Sequence, residues 1–124
     1  MTWFYSQQSG VIAHDDEVVA CGYSGNDDTG PCKNNPAAQS INGHGPIPRG
    51  KYQMLTPIDH PRLGPFAIPL VPAPKNQMFG RCGFFCHGDS IAHPGHASDG
   101  CIIEDLTTRH RMWSSGDHEL DVRD

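Results

Sequence analysis

Gly83-Phe84-Phe85-Cys86-His87-Gly88 and, after a polar loop, Ser98-Asp99-Gly100-Cys101-Ile102-Ile103 are the two segments from which the rest of the chain can be read. The first is a short apolar run that predicts a strand ending at His87. Side-chain alternation puts Phe85 and His87 on one face and Phe84 and Cys86 on the other, so Cys86 is a core or disulfide residue. The second segment enters Cys101 through a small, polar turn. Gly100 can take backbone conformations closed to other residues, and the N–H groups of Gly100 and Cys101 can then converge on one point, as an oxyanion hole requires. One histidine stands fourteen positions before one cysteine.

A free thiol has a pKa of about 8.5 and needs a neighbouring imidazole or positive dipole to act as a nucleophile. His87 is the candidate base and Cys101 the candidate nucleophile, which points to acyl transfer. Two other readings compete. Cys82, Cys86, His87, His93, His96 and Cys101 crowd into twenty residues, and Cys and His are zinc's preferred ligands, although their spacings match no structural zinc pattern closely. Alternatively the chain is a disulfide-stapled binding module in which Gly100-Cys101 is only a tight turn. Five cysteines are an odd number, so four can pair and one is left over. Bridges within Cys21/Cys32 and within Cys82/Cys86 are plausible, with Cys101 free, though the sequence permits all three connectivities of four cysteines; five reduced, buried cysteines are the alternative.

Outward from this centre the chain reads as strands and turns. Trp3-Phe4-Tyr5 through Gly10 to Val11-Ile12 predicts the start of a hairpin, and Glu17 to Tyr23 a strand. Residues Ser24 to Pro48 carry turn chemistry throughout, and a long ordered loop of this kind is more often functional than idle. Lys51 to Leu55 alternates as a half-buried strand, and Pro65 to Val71 is extended, its prolines assigning it to a sheet edge. Glu104 to Ser115 predicts the one helix, with Leu106, His110 and Trp113 on a common face and Gly116 as its stop. His118 to Val122 adds a last strand. The expected fold is a single mainly-β domain, residues 1–124, with one short helix after Cys101.

Composition narrows the partners. A formal charge of −5 and nine scattered Lys and Arg leave no basic stripe, which argues against nucleic acid. The most apolar stretch, Phe66 to Pro74, is cut by three prolines, so no membrane span is expected. The first residues lack the basic and apolar regions of a secretory signal, so if the protein works outside the cytoplasm, either some other route exports it or a leader has been lost. The 14 glycines and 11 prolines agree with a loop-rich β protein.

Several ordered motifs carry a family resemblance. His87-Gly88-Asp89 with Ser98-Asp99-Gly100-Cys101-Ile102 resembles the signature of L,D-transpeptidase catalytic domains. More narrowly, Trp3-x-Tyr5-x-Gln7, Ser9-Gly10, Gly22-Tyr23-Ser24-Gly25, Asn34-Asn35-Pro36 and Gly45-Pro46-Ile47-Pro48-x-Gly50-x-Tyr52 resemble the small L,D-transpeptidase effectors that type VI secretion systems deliver into rival bacteria. The likeness runs in order from about residue 3 to residue 115.

The resemblance implies an L,D-transpeptidase-like domain that needs no cofactor or metal and acts on the stem peptides of peptidoglycan in the periplasm of the target cell. Cys101 would form a thioester, His87 would move the proton, and the Gly88 carbonyl would orient the imidazole. It also implies a secretion apparatus and a cognate immunity protein as partners. The chain departs from the wider family at Asp99, where many members carry histidine, and at Ile103-Glu104, where an arginine is common. Asp99 supplies no second imidazole, so His87 must be the only base. The candidates for recognising substrate carboxylates are then Arg49, Lys51 and Arg81, each otherwise a solvated surface charge, with Tyr23 a further candidate for substrate contact; Ser98 either hydrogen-bonds within the site or shapes the turn.

Overall fold

The computed structural model describes all residues, 1–124. Its strands are β1 (Trp3–Ser6), β2 (Val11–His14), β3 (Glu17–Cys21), β4 (Tyr23–Ser24), β5 (Gly50–Met54), β6 (Ile58–His60), β7 (Gly64–Pro72), β8 (Phe85–His87), β9 (Ile102–Ile103) and β10 (Glu119–Arg123). One helix, α1 (Leu106–Ser114), follows β9. The strands form one sheet in the order β3-β2-β1-β10-β5-β7-β8-β9-β4, with β6 paired to β7.

The two ends of that order, β3 and β4, are consecutive in the chain and separated only by Gly22. The sheet therefore curls until its edges meet, giving a near-barrel that leaves little unpaired edge. Gly22 is where they meet. Its N–H donates to the Gly10 carbonyl at 2.8 Å, and a Cβ at this position would lie 2.0 Å from the Ile103 carbonyl oxygen. Only glycine fits between the strands here.

Alternation fills the interior. Trp3 and Tyr5 of β1, Tyr52 and Met54 of β5, and Leu120 and Val122 of β10 all point inward, with Ile68, Cys86, Ile102 and Met112 closing the core. β1 and β10 pair in parallel from Trp3↔Leu120 to Ser6↔Arg123, which joins the first and last strands.

The chain forms the expected mainly-β fold with one helix, as a single near-barrel sheet, and three details differ. The Pro65–Val71 segment is not at an edge: β7 pairs in turn with β6, β8 and β5 along its length. Pro69 forgoes a donor but its carbonyl still accepts from the Leu55 N–H at 2.9 Å, so the sheet tolerates it. The helix starts at Leu106, with the Asp105 carboxylate capping the Thr108 N–H at 2.7 Å, rather than at Glu104. Its inward residues are Thr108, Arg109 and Met112, while Leu106 is exposed. The reason is polar: Arg109 donates to the carbonyls of Glu104, Pro65 and Phe66, which have no strand neighbour there, and an apolar-face rule does not foresee that demand. Gly116 follows the helix with φ +79°, as a stop should.

All five cysteines are free thiols, which corrects the expected bridges. Cys86 is fully buried in the core while Cys82 is exposed, and Cys21 is exposed while Cys32 is buried, so neither pair shares an environment. No helix is long and apolar enough to cross a membrane.

Replacing Gly22 by alanine should cost about 2 kcal/mol or more, because the Ile103 backbone and the buried Glu104 carboxyl must both move to admit one methyl group. Urea unfolding of the Gly22→Ala variant measures it; a midpoint equal to that of the unsubstituted protein would contradict the closure described.

Candidate active site

β8 and β9 pair in parallel, with Cys86 opposite Ile102 and His87 opposite Ile103. Extended one residue back, the register sets Phe85 beside Cys101, and the Phe85 N–H points at the Cys101 sulfur at 3.3 Å. Alternation then gives the two faces opposite tasks. Cys86 and Ile102 are wholly buried on the core side, while His87 and Cys101 share the other face as diagonal neighbours, their Cα atoms about 8 Å apart by strand spacing and rise. Cys101 is half-buried and His87 buried.

The imidazole is held in one tautomer. Nδ1 lies 2.8 Å from the Gly88 carbonyl oxygen, which can only accept, so Nδ1 carries the proton and Nε2 keeps its lone pair. Burial, the Arg109 guanidinium and His60 hold the His87 pKa below the ordinary histidine value despite the Gly88 bond. Burial pushes the Cys101 thiol up to about 11, opposed by the Phe85 N–H and by Arg81 and Arg62. At neutral pH the pair is a thiol and a neutral imidazole.

Ser98 does more than shape a turn. Its buried Oγ accepts from the N–H groups of Gly25 (2.9 Å) and Gly100 (3.1 Å) and donates to the Cys101 carbonyl. Ser24 Oγ donates to the Gly100 carbonyl at 2.9 Å, and Asn26 Nδ2 donates to the Ser98 carbonyl at 2.9 Å and to Asp99 Oδ1. The long loop of residues 24–48 is thus the bed on which the cysteine turn lies. Gly100, at φ +139°, has its N–H committed to Ser98; the Cys101 N–H makes no hydrogen bond and is the one donor of the expected two left for an oxyanion.

The other expected substrate contacts are placed differently. Arg81 lines the cleft beside Cys101 but is buried and spends its guanidinium on four backbone carbonyls, those of Gln39, Gly45, Pro46 and Asp99 at 2.6–3.2 Å. Arg49 and Lys51 are exposed and stand in neither cleft beside Cys101 and His87. Tyr23 donates to Asp89 Oδ1 at 2.6 Å and accepts from the Ala97 N–H, bracing the loop between β8 and the cysteine turn. The six residues of the zinc reading do not converge; the one cluster able to hold a metal is His14, Asp15 and Asp117, where the β2–β3 turn meets the segment before β10.

Two clefts flank the pair. Cys101 stands in the wall of one with Arg81, Cys82, Gly83, Phe84 and Asp99; His87 stands in the other with Arg62, Leu63, Asp89 and His96. Arg62 is exposed, lines the His87 cleft and lies near enough to Cys101 to act on its thiol. Sequence reading passed over it because β6 and the His60-Pro61-Arg62 turn carry no periodic signal. His60 Nδ1 accepts from the N–H groups of Arg62 and Leu63, and its ring meets Phe85 edge-on at 5.3 Å, which anchors the turn beside the pair.

Glu104, directly after β9, is buried and its Oε2 has no hydrogen-bond partner. Burial and the adjacent Asp105 push its pKa up to about 8. Its folded pKa thus exceeds the unfolded value of about 4.3, so its contribution to stability is full below pH 4 and is lost as pH rises through about 8. Glu104→Gln should therefore raise the unfolding free energy relative to the unsubstituted protein by about 1 kcal/mol or more at pH 8.5, and by much less at pH 4. Chemical denaturation at the two pH values tests this.

A family model described as the Tlde1 domain matches residues 19–122, nearly the whole chain. Comparison with curated proteins and with solved structures returned no match.

Proposed function

The chain belongs to the Tlde1 domain family of type VI secretion effectors, and we propose that it is a cysteine acyltransferase acting on the tetrapeptide stems of peptidoglycan. The observation that carries this reading is the parallel β8–β9 register, which sets His87 and Cys101 on one face with Nδ1 tied to Gly88 and Nε2 free. In the proposed reaction the Cys101 sulfur attacks the carbonyl that joins the third stem residue to the terminal D-alanine. The thiol proton passes to His87 Nε2, the S–C bond forms, and the C–N bond breaks as His87 protonates the departing amine. Water then cleaves the thioester to leave a tripeptide, or the amine of a free D-amino acid takes the acyl group. These are L,D-carboxypeptidase and exchange activities, and both remove the donor ends from which cross-links are made.

Membership of an effector family supports delivery into a target cell by a secretion apparatus and a protective immunity partner in the producer. On this reading the enzyme works in the target's periplasm, and the immunity protein covers the His87/Cys101 face. Arg62 is the cation best placed for the substrate's terminal carboxylate, the duty left vacant by Ile103-Glu104 and by Arg81.

Incubation with disaccharide tetrapeptide, with and without a D-amino acid, followed by mass spectrometry, tests the reading. Cys101→Ala should abolish loss and exchange of D-alanine, and His87→Gln should lower kcat/KM by about 10²–10⁴-fold. Because the base must be neutral, kcat/KM should fall with acidity only below the ordinary histidine pKa of about 6.5. An unsubstituted protein that leaves D-alanine in place sinks the proposal. Arg62→Gln should raise KM by about tenfold with kcat little changed; an unchanged KM removes Arg62 from substrate binding.

A further inference from the structure

The residue after His87 is a glycine, yet its backbone conformation does not demand one, since Gly88 has no positive φ. What demands it is space. A Cβ at Gly88 would stand 2.8 Å from Arg109 Nη2 and 3.4 Å from Cζ, closer than a packed side-chain carbon tolerates. The guanidinium thus fills the place that a side chain would take beside the imidazole. Arg109 is buried, and three of its hydrogen bonds brace backbone: Nε donates to the Glu104 carbonyl at 3.1 Å, and Nη1 to those of Pro65 (2.8 Å) and Phe66 (3.1 Å). Nη2 makes no hydrogen bond, and it is the nitrogen nearest Gly88. Glu104 closes the circuit, because its N–H donates to the His87 carbonyl at 3.0 Å while its own carbonyl is held by Arg109. Phe66 sits at φ +54°, a strained value for so bulky a residue, and its carbonyl is among those the guanidinium holds.

We propose that Arg109 is a positioning residue for His87: its guanidinium, seated against Gly88 and tied to the start of β7 and the end of β9, holds the Gly88 carbonyl on Nδ1 and sets a fixed positive charge behind the ring, so that Nε2 stays open to the thiol proton. The role rests on the reading of His87 as the base. Two neighbouring cations repel, so the guanidinium raises the cost of an imidazolium. Burial is the first cause of the low His87 pKa, opposed by the Gly88 carbonyl; Arg109 of α1 acts with burial, as does His60 of β6, and Asp89 in the following loop opposes them. Arg62 and His96 line the cleft on the ring's open side, and Cys101 is its diagonal neighbour on β9. Among these groups Arg109 alone is joined through backbone to both sides of His87, at Gly88 and through Glu104.

Long-range proton–nitrogen NMR of the imidazoles in the full chain reads tautomer and titration together. In the unsubstituted protein His87 should rest as the Nδ1–H tautomer and titrate below the ordinary histidine value of about 6.5. Arg109→Gln should move that titration upward, and Arg109→Lys, which keeps the charge, should leave it low. Arg111→Gln, exposed on the same helix, should not move it. With tetrapeptide, Arg109→Gln should carry the acidic fall of kcat/KM to higher pH and lower kcat about tenfold with KM little changed, and Arg109→Lys should recover most of the loss. An arginine that only braces the fold would lower stability and leave the tautomer and titration of His87 where they were, and that result overturns the proposal. So does an unsubstituted His87 that rests as the Nε2–H tautomer or titrates at or above the ordinary value, a readout that stands even where Arg109→Gln fails to fold. Turnover by the unsubstituted protein with His87 indifferent to Arg109→Gln removes this proposal and leaves the stem-peptide reading. A His87 that responds as expected in a protein without turnover sinks that reading and leaves the hold of Arg109 on His87 standing.

Discussion

The pairing of β8 with β9 is the constraint on which the rest depends. Parallel strands need long crossovers, and here the crossover is the polar loop of residues 88–101 rather than a helix. Each strand is only two or three residues long, so the pair cannot hold itself together. It is held from both sides, by β7 beside β8 and by β4 beside β9, and from beneath by the burial of Cys86 and Ile102. One register thus seals the barrel and presents the thiol and imidazole together. A slip by one residue would send His87 into the core and Cys86 into the site.

A second layer holds the cysteine turn, and it is built almost entirely from backbone carbonyls and small polar side chains. Arg81 bridges the loop of residues 39–46 to Asp99, while Ser98, Ser24 and Asn26 satisfy the turn's own donors and acceptors. A buried guanidinium is tolerated because four of its donors are met by carbonyls that would otherwise lack partners. This explains why a segment with so little periodicity is ordered. Its residues trade hydrogen bonds with one another and with the turn, where a sheet would trade them along a ladder.

What could be read from the residues follows the same division. Alternation along Gly83–His87 was enough to place Cys86 inward and His87 outward, and Trp3–Tyr5, Lys51–Leu55 and His118–Val122 announced their strands by composition. Arg81 and Arg109 were not legible as structural residues, because their role is to answer carbonyls brought together from distant parts of the chain. Arg62 and Glu104 were missed for a related reason. A two-residue strand such as β9 and a proline-broken turn such as His60–Arg62 carry too few residues for any period to show. The expected disulfides failed because sequence proximity says nothing of burial: Cys82 and Cys86 are four apart, yet one meets solvent and the other the core.

Burial has one further consequence for the chemistry proposed. A thiolate–imidazolium ion pair at rest would need the thiol pKa to lie below that of the histidine, and burial drives the two apart in the opposite sense, Cys101 up to about 11 and His87 below its ordinary value. The resting pair is therefore uncharged, and charge arises only as the sulfur attacks and the proton moves. On the proposed reading, the groups that meet that charge, the Phe85 N–H at the sulfur and the free Cys101 N–H, favour the transition state over the resting state, which is the condition for raising rate rather than merely affinity. A thiol kept neutral until substrate arrives is also a poor target for oxidation, since it is the thiolate that oxidants attack. The same desolvation that slows the bare nucleophile thus suits the proposed role, in which the cysteine must stay reduced until it meets its substrate.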